Sequence, residues 1–162
     1  MEIREARPGD WPEIWPFFRE TVRAGETYAY DPELTSDRAR ALWLAEPPGA
    51  SVVAVDGGVV LGSATVGPNR PGRGAHIGTA SFMVSPAARG RVVGRALGVH
   101  VVDWHRSHGF RGIQFNAVVE TNTAAVALWT SLGFTVIGTV PGAFEHPARG
   151  YVGLHVMYLP LV

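Results

Sequence analysis

The stretch Arg89-Gly90-Arg91-Val92-Val93-Gly94 follows an apolar strand pattern and opens a helical one, and chemistry is possible at that junction. A helix N-terminus presents backbone N–H groups without partners and the positive end of the helix dipole, so it stabilises an anion. Glycine lets the backbone approach phosphate oxygens closely, and Arg89, Arg91 and Arg95 add positive charge. The competing reading is a tight strand-to-helix turn with solvated arginines, because two glycines are few. Two asparagines downstream also need partners. Asn116 falls in the middle of a strand pattern, where a buried, unpaired amide costs about 1–3 kcal/mol, so a ligand or a bulged backbone should satisfy it. Asn122 precedes a helical run and suits its N-cap.

What the chain lacks narrows the chemistry. Its 162 residues contain no cysteine, which removes disulfides, thiol nucleophiles and cysteine-ligated zinc. Fourteen basic residues, all arginine, balance fourteen acidic ones. No internal lysine can act as nucleophile, and no net field favours nucleic acid. No apolar run nears the roughly 18 residues that span a bilayer, and the N-terminus has no apolar signal core. A cytoplasmic location without a membrane partner is expected, and the length suits a single domain over 1–162.

The elements that must position these residues follow from periodicity. Residues 2–6 alternate as a short strand. Asp10 and Glu13 have capping-box spacing before a helix through Ile14, Phe17, Phe18 and Val22, with Pro16 expected to kink or delay it and Gly25 ending it. A loop over 26–34 leads to a second helix capped by Thr35 or Ser36 and running to Glu46. Strands follow at 51–55 and 59–66, joined by the hairpin signal Asp56-Gly57-Gly58, and another at 76–84. A helix carries Val93, Leu97, Val101 and Trp104 on one face. Then come a strand to Val119, a helix over 123–132, a strand over 134–140, a loop over 141–150 and a last strand over 151–159. The fold class is α/β, a mixed and mostly antiparallel sheet of six to seven strands with helices on both faces.

Phe82-Met83-Val84, the Arg89-Gly90 loop and Asn122-x-x-Ala125-x-x-Leu128-Trp129-x-x-Leu132-Gly133-Phe134 together resemble the GCN5-related N-acetyltransferase family over nearly the whole chain. The resemblance implies a splayed central strand pair that holds acetyl-coenzyme A, as co-substrate and with no metal. Its pyrophosphate would lie on the loop Arg89, Gly90, Arg91, Val92, Val93, Gly94 and Arg95. A backbone N–H at Met83 or Val84 would face the thioester carbonyl, and Asn122 would touch the cofactor arm as well as cap its helix. Two positions depart from the family pattern. Val92 stands where the loop usually has glycine. Trp129 stands where a tyrosine often protonates the leaving thiolate; an indole N–H only donates a hydrogen bond. Trp129 either packs on the pantetheine arm or is a core residue.

By the same resemblance, an acetyl group moves from acetyl-coenzyme A to the amine of a small molecule or amino acid by direct attack. Alternatives are acetylation of a protein N-terminus or antibiotic amine, and an acyl-coenzyme A sensor without turnover. Glu120 and Glu26 are the candidate bases, followed by His146, with a water chain as competitor. Thr27, Tyr28, Phe82, Asn116 and Phe144 would line the acceptor pocket, although Tyr28 and Phe144 serve equally as hydrophobic anchors. The run 115–122 with Leu128-Trp129 and Val140–Phe144 is similar to a branch acetylating small imino acids such as azetidine-2-carboxylate, where both asparagines belong to the active site. Relatives often form homodimers, and the apolar C-terminal strand offers one pairing surface.

Overall fold

The computed structural model describes residues 1–90 and 92–162; the expectation for Arg91 lies outside them. Eleven main elements follow in chain order: β1 (Glu2–Glu5), α1 (Trp11–Ala24), α2 (Ser36–Trp43), β2 (Ala50–Asp56), β3 (Val59–Pro68), β4 (Ile77–Val84), α3 (Val93–Ser107), β5 (Gly112–Val119), α4 (Thr123–Ser131), β6 (Thr135–His146) and β7 (Gly150–Pro160). They build one seven-stranded sheet in the order β1-β2-β3-β4-β5-β7-β6. Its neighbours pair antiparallel except β4 with β5.

Strand alternation sends successive residues to opposite layers. Val53, Val60 and Met83 meet Ile14, Phe17, Phe18 and Val22 of α1 and Trp43 of α2. Val52, Ala54, Leu61, Ala64 and Val66 meet Val93, Leu97 and Val101 of α3 on the other face. On that same face Trp129 of α4 joins Ile113, Phe115, Phe134, Met157 and Leu159. Trp43 is fully buried, and its indole N–H finds the partner it needs in Ser63 Oγ at 2.8 Å. At the β2–β3 turn Gly57 and Gly58 both have positive φ, as a two-residue hairpin requires. No helix among the described residues is long and apolar enough to cross a membrane.

Four sequence expectations change. Helix α1 already begins at Trp11 and continues through Pro16, so the proline does not delay it; it removes only the bond to the Pro12 carbonyl in the preceding turn. The capping box does not form: Asp10 has helical backbone angles and makes no side-chain cap bond. Its carboxylate instead takes both arms of the Arg4 guanidinium, at 2.8 Å each, and the Arg7 N–H at 2.7 Å. That bidentate pair outcompetes a cap and holds the Asp10 carboxyl below its usual range. Residues 141–146 are strand rather than loop, since β6 resumes pairing with β7 after an irregularity between Val140 and Phe144. The C-terminal strand cannot pair across an interface, because β7 has β5 on one edge and β6 on the other.

Strands β4 and β5 meet only at Ile77–Gly112 and Gly78–Ile113. A Cβ on Gly78 would collide with the buried His105 imidazole, so only glycine permits this approach. His105 Nδ1 lies 2.8 Å from the Val101 carbonyl. Burial, opposed by the backbone groups of Val101, Thr79 and Gly67, lowers its pKa below the ordinary histidine value. The unfolded chain therefore takes up this proton first. The stabilising contribution is complete above about pH 6.5 and declines as pH falls from there toward the lower folded pKa. Denaturant unfolding between pH 8 and 5 should show a steeper loss for the native chain than for His105→Gln.

Candidate functional site

Beyond their two shared positions β4 and β5 diverge and leave a gap. Which backbone groups face it follows from the register. Asn69 N–H donates to the Ile77 carbonyl and Ser85 N–H to the Leu61 carbonyl, so odd-numbered residues of β4 turn to β3. Arg111 N–H donates to the His76 carbonyl, so even-numbered residues turn toward β5. Phe82 and Val84 therefore present N–H and C=O to the gap. Met83 does not: its N–H faces β3 opposite Ser63, and its side chain packs toward α1. This corrects the expectation that Met83 offers a donor there. Phe82, Phe115 and Trp129 close the gap on the α4 side, with ring centroids 4.5 Å (Phe82–Trp129) and 5.0 Å (Phe115–Trp129) apart. Trp129 is 7% exposed, a core residue that also walls the gap.

After β4 a short turn over Pro86–Ala88 leads to α3. Gly90 has φ +76°, and a Cβ there would meet nothing within 4 Å. Val92, the N-cap, has φ +58° and makes no side-chain cap bond, so the first N–H groups of α3 keep their capacity for an anion. A β-branched residue in this left-handed region is strained, by about 1–3 kcal/mol. Its side chain is 70% exposed, while Val93 is buried and Gly94 packs beside Leu128 and Val84. Arg89 is exposed. Arg95 turns away, donating to Ser131 Oγ at 2.8 Å and tying α3 to α4.

On the opposite face of the gap stands the loop between α1 and α2. The Tyr28 hydroxyl accepts from Phe82 N–H at 2.8 Å and donates to the Phe82 carbonyl at 2.5 Å. Tyr28 stacks on Tyr30, and Tyr30 on Phe18. Thr27 Oγ1 is buried without a hydrogen-bond partner, as is Thr121 Oγ1 at the end of β5. Glu26 is exposed. Asn116 lies in a bulge of β5, where two residues, 116 and 117, oppose one on β7. Its amide donates to Asn69 Oδ1 at 2.6 Å and accepts from Gln114 at 2.9 Å. Asn122 caps α4 through the Ala125 N–H.

Two candidate bases prove to have structural partners. Glu120 is exposed, but its Oε1 accepts from Gly153 N–H at 2.6 Å, bracing the end of β5 against β7. His146 is buried, and its Nδ1 accepts from Ala148 and Arg149 in the β6–β7 turn. Phe144 is 6% exposed and packs on Val119 and Val152, which anchors β6.

The sequence profile of the acetyltransferase (GNAT) family matches residues 10–134, well over half the chain. The chain belongs to that family. Among solved structures, a GCN5-related N-acetyltransferase from Kribbella flavida is 65% identical, with a TM-score of 0.97 over 99% of this chain and 97% of that one. The protein yncA from Salmonella typhimurium, solved with its cofactor acetyl-CoA, is 28% identical, with a TM-score of 0.85 over 100% of this chain and 94% of that one. N-acetyltransferase aca1 of Schizosaccharomyces pombe is 28% identical over 86% of this chain and 75% of its own length.

Within this GNAT chain the structure brings Tyr28, Phe82, Phe115 and Trp129 to the gap and sets Gly90, Val92 and Gly94 at the entry to α3. It places Phe144 in a separate small cluster. Asn69 and Gln114, which hold Asn116, were not singled out by sequence. No periodicity marks Asn69, at the start of a proline and glycine loop, and Gln114 reads as the ordinary polar position of an alternating strand.

Proposed function

We propose that the chain transfers an acetyl group from acetyl-coenzyme A to the amine of a small molecule or amino acid, by direct attack. The observation that carries this reading is the gap between β4 and β5 running toward the uncapped start of α3. The residues fit the co-substrate. The N–H groups at the start of α3, with Gly90 and Arg89, would receive the pyrophosphate, and the gap-facing backbone of Phe82 and Val84 would pair with the pantetheine arm. The bound thioester supplies an activated acyl carbon and a thiol leaving group. The names of yncA and aca1 support both the cofactor and the nitrogen acceptor.

The gap-facing N–H of Phe82 or Val84 would hold charge developing on the acyl oxygen, a contribution of about 3–4 kcal/mol when such a donor is well aimed. A thiol with pKa near 8.5 leaves without an acid, so Trp129 is no obstacle to turnover. The amine proton would go to Glu26 or to water, given that Glu120 Oε1 is already engaged. The neutral amides of Gln114, Asn116 and Asn69, with the unpartnered Thr27 hydroxyl, suit a small, partly apolar amine better than a polyanion or a long basic peptide. A homodimer would use β6, where Val136, Ile137 and Val140 are exposed at the sheet edge. Incubating the protein with acetyl-coenzyme A and a panel of amines and amino acids, imino acids included, should release free thiol in step with the acceptor. Binding of acetyl-coenzyme A without amine-dependent thiol release would sink this reading.

A further inference from the structure

We propose that Tyr28 is a catalytic residue: its hydroxyl holds the position on Phe82 that the acyl oxygen will take, and then donates a hydrogen bond to that oxygen. This rests on the acetyl-transfer reading above. The bonding pattern fixes the proton. An N–H can only donate, so the Tyr28 oxygen accepts from Phe82 N–H, and its single hydrogen goes to the Phe82 carbonyl. Because β4 and β5 pair only at their closed end, Phe82 lies on the open stretch of β4. Any oxygen accepting from its N–H stands where the carbonyl of a strand-like ligand would stand. The Tyr28 oxygen is such an oxygen.

When the acyl oxygen takes over the Phe82 N–H, the tyrosine oxygen must retreat by about one oxygen–oxygen contact, ~2.7 Å. Rotation about its C–O bond then turns the hydrogen from the Phe82 carbonyl to the acyl oxygen. Stacking keeps the ring in its plane during that shift: Tyr28 stacks on Tyr30 with centroids 5.6 Å apart, and Tyr30 on buried Phe18 at 5.7 Å. Burial raises the Tyr28 pKa well above its ordinary value, so the hydroxyl is protonated at every working pH. Such a group is a poor acid toward a departing thiolate and a suitable donor toward a tetrahedral oxyanion. As the amine nitrogen bonds the acyl carbon, the carbonyl pair moves onto oxygen, between Phe82 N–H and Tyr28 O–H. The pair returns as the C–S bond breaks, and Tyr28 keeps its proton throughout.

The test compares Tyr28→Phe with the native chain in amine-dependent thiol release and in calorimetric titration with acetyl-coenzyme A. Loss of one such donor should lower kcat roughly ten- to hundredfold while Kd for acetyl-coenzyme A changes less than about threefold. Tyr151→Phe, at an exposed tyrosine of β7, should keep native kcat. A Tyr28→Phe kcat within about twofold of native, or a loss carried wholly by Kd, overturns the proposal. Should that variant fail to fold, site-specific 3-fluorotyrosine at position 28, which alters donor strength at nearly constant size, must change kcat; an unchanged value overturns it equally. Failure of the native chain to turn over any amine would strike the acetyl-transfer reading first.

Discussion

Replacing Gly90 with aspartate should lower affinity for acetyl-coenzyme A roughly ten- to hundredfold and leave the fold intact. The space is open, since a Cβ at Gly90 meets nothing within 4 Å, and aspartate tolerates a φ of +76° better than most residues do. Steric damage is therefore not the mechanism. A carboxylate beside the first turn of α3 would occupy the partial positive charge of the helix end and repel the pyrophosphate. Two like charges about 6 Å apart at an effective dielectric of about 20 repel by roughly 3 kcal/mol, near a hundredfold, and exposure to water reduces that figure. The penalty should shrink as salt rises, which a purely steric defect would not do. Calorimetric titration at two ionic strengths measures both effects; native affinity in Gly90→Asp would refute the placement of the pyrophosphate on this loop.

Trp129→Ala should destabilise the chain by about 3–5 kcal/mol, the range for truncating a buried tryptophan. The indole touches Phe82 and Phe115, lies 6.4 Å from Phe134 by ring centroid, and fills the seam where a Cβ on Gly98 of α3 would sit 3.1 Å from its ring. No small residue repairs that seam, because α3 and α4 are already close. Urea or thermal unfolding measures the stability loss, and a change below about 1 kcal/mol would contradict the core role. Trp129→Tyr keeps most of the aromatic surface, so it should lose less stability than the alanine variant. It also restores a phenol where the family often has one.

Much of the architecture could be read from the sequence because local physics agreed with the tertiary outcome. Asp56-Gly57-Gly58 makes a turn that few other residues permit, and the apolar spacing of Val93, Leu97 and Val101 has one helical face to bury. Family motifs then extended these local readings to the Arg89–Gly94 loop and the splayed strands. The misses share a cause, which is competition from residues distant in sequence. Asp10 looks like a cap until Arg4 is brought beside it by β1. Glu120 looks like a free base until β7 supplies the Gly153 N–H. Met83 and Val84 cannot be told apart without knowing which edge of β4 faces β3. Tyr28 reads in sequence as an acceptor-pocket residue or a loop anchor, but its bond to the Phe82 backbone, 54 residues away, could not be read there.

The strand order carries a consequence for biosynthesis. Strand β5 shares only two register positions with β4, and its remaining neighbour is β7, some thirty residues downstream. A nascent chain that has emerged only as far as Ser131 holds every residue of α1 to α4, yet β5 has nothing along its outer edge. One wall of the cleft is then supported from one side only. Until the hairpin of β6 and β7 follows from the ribosome, that bare edge is the place where a half-made molecule would stick to its neighbours or be cut.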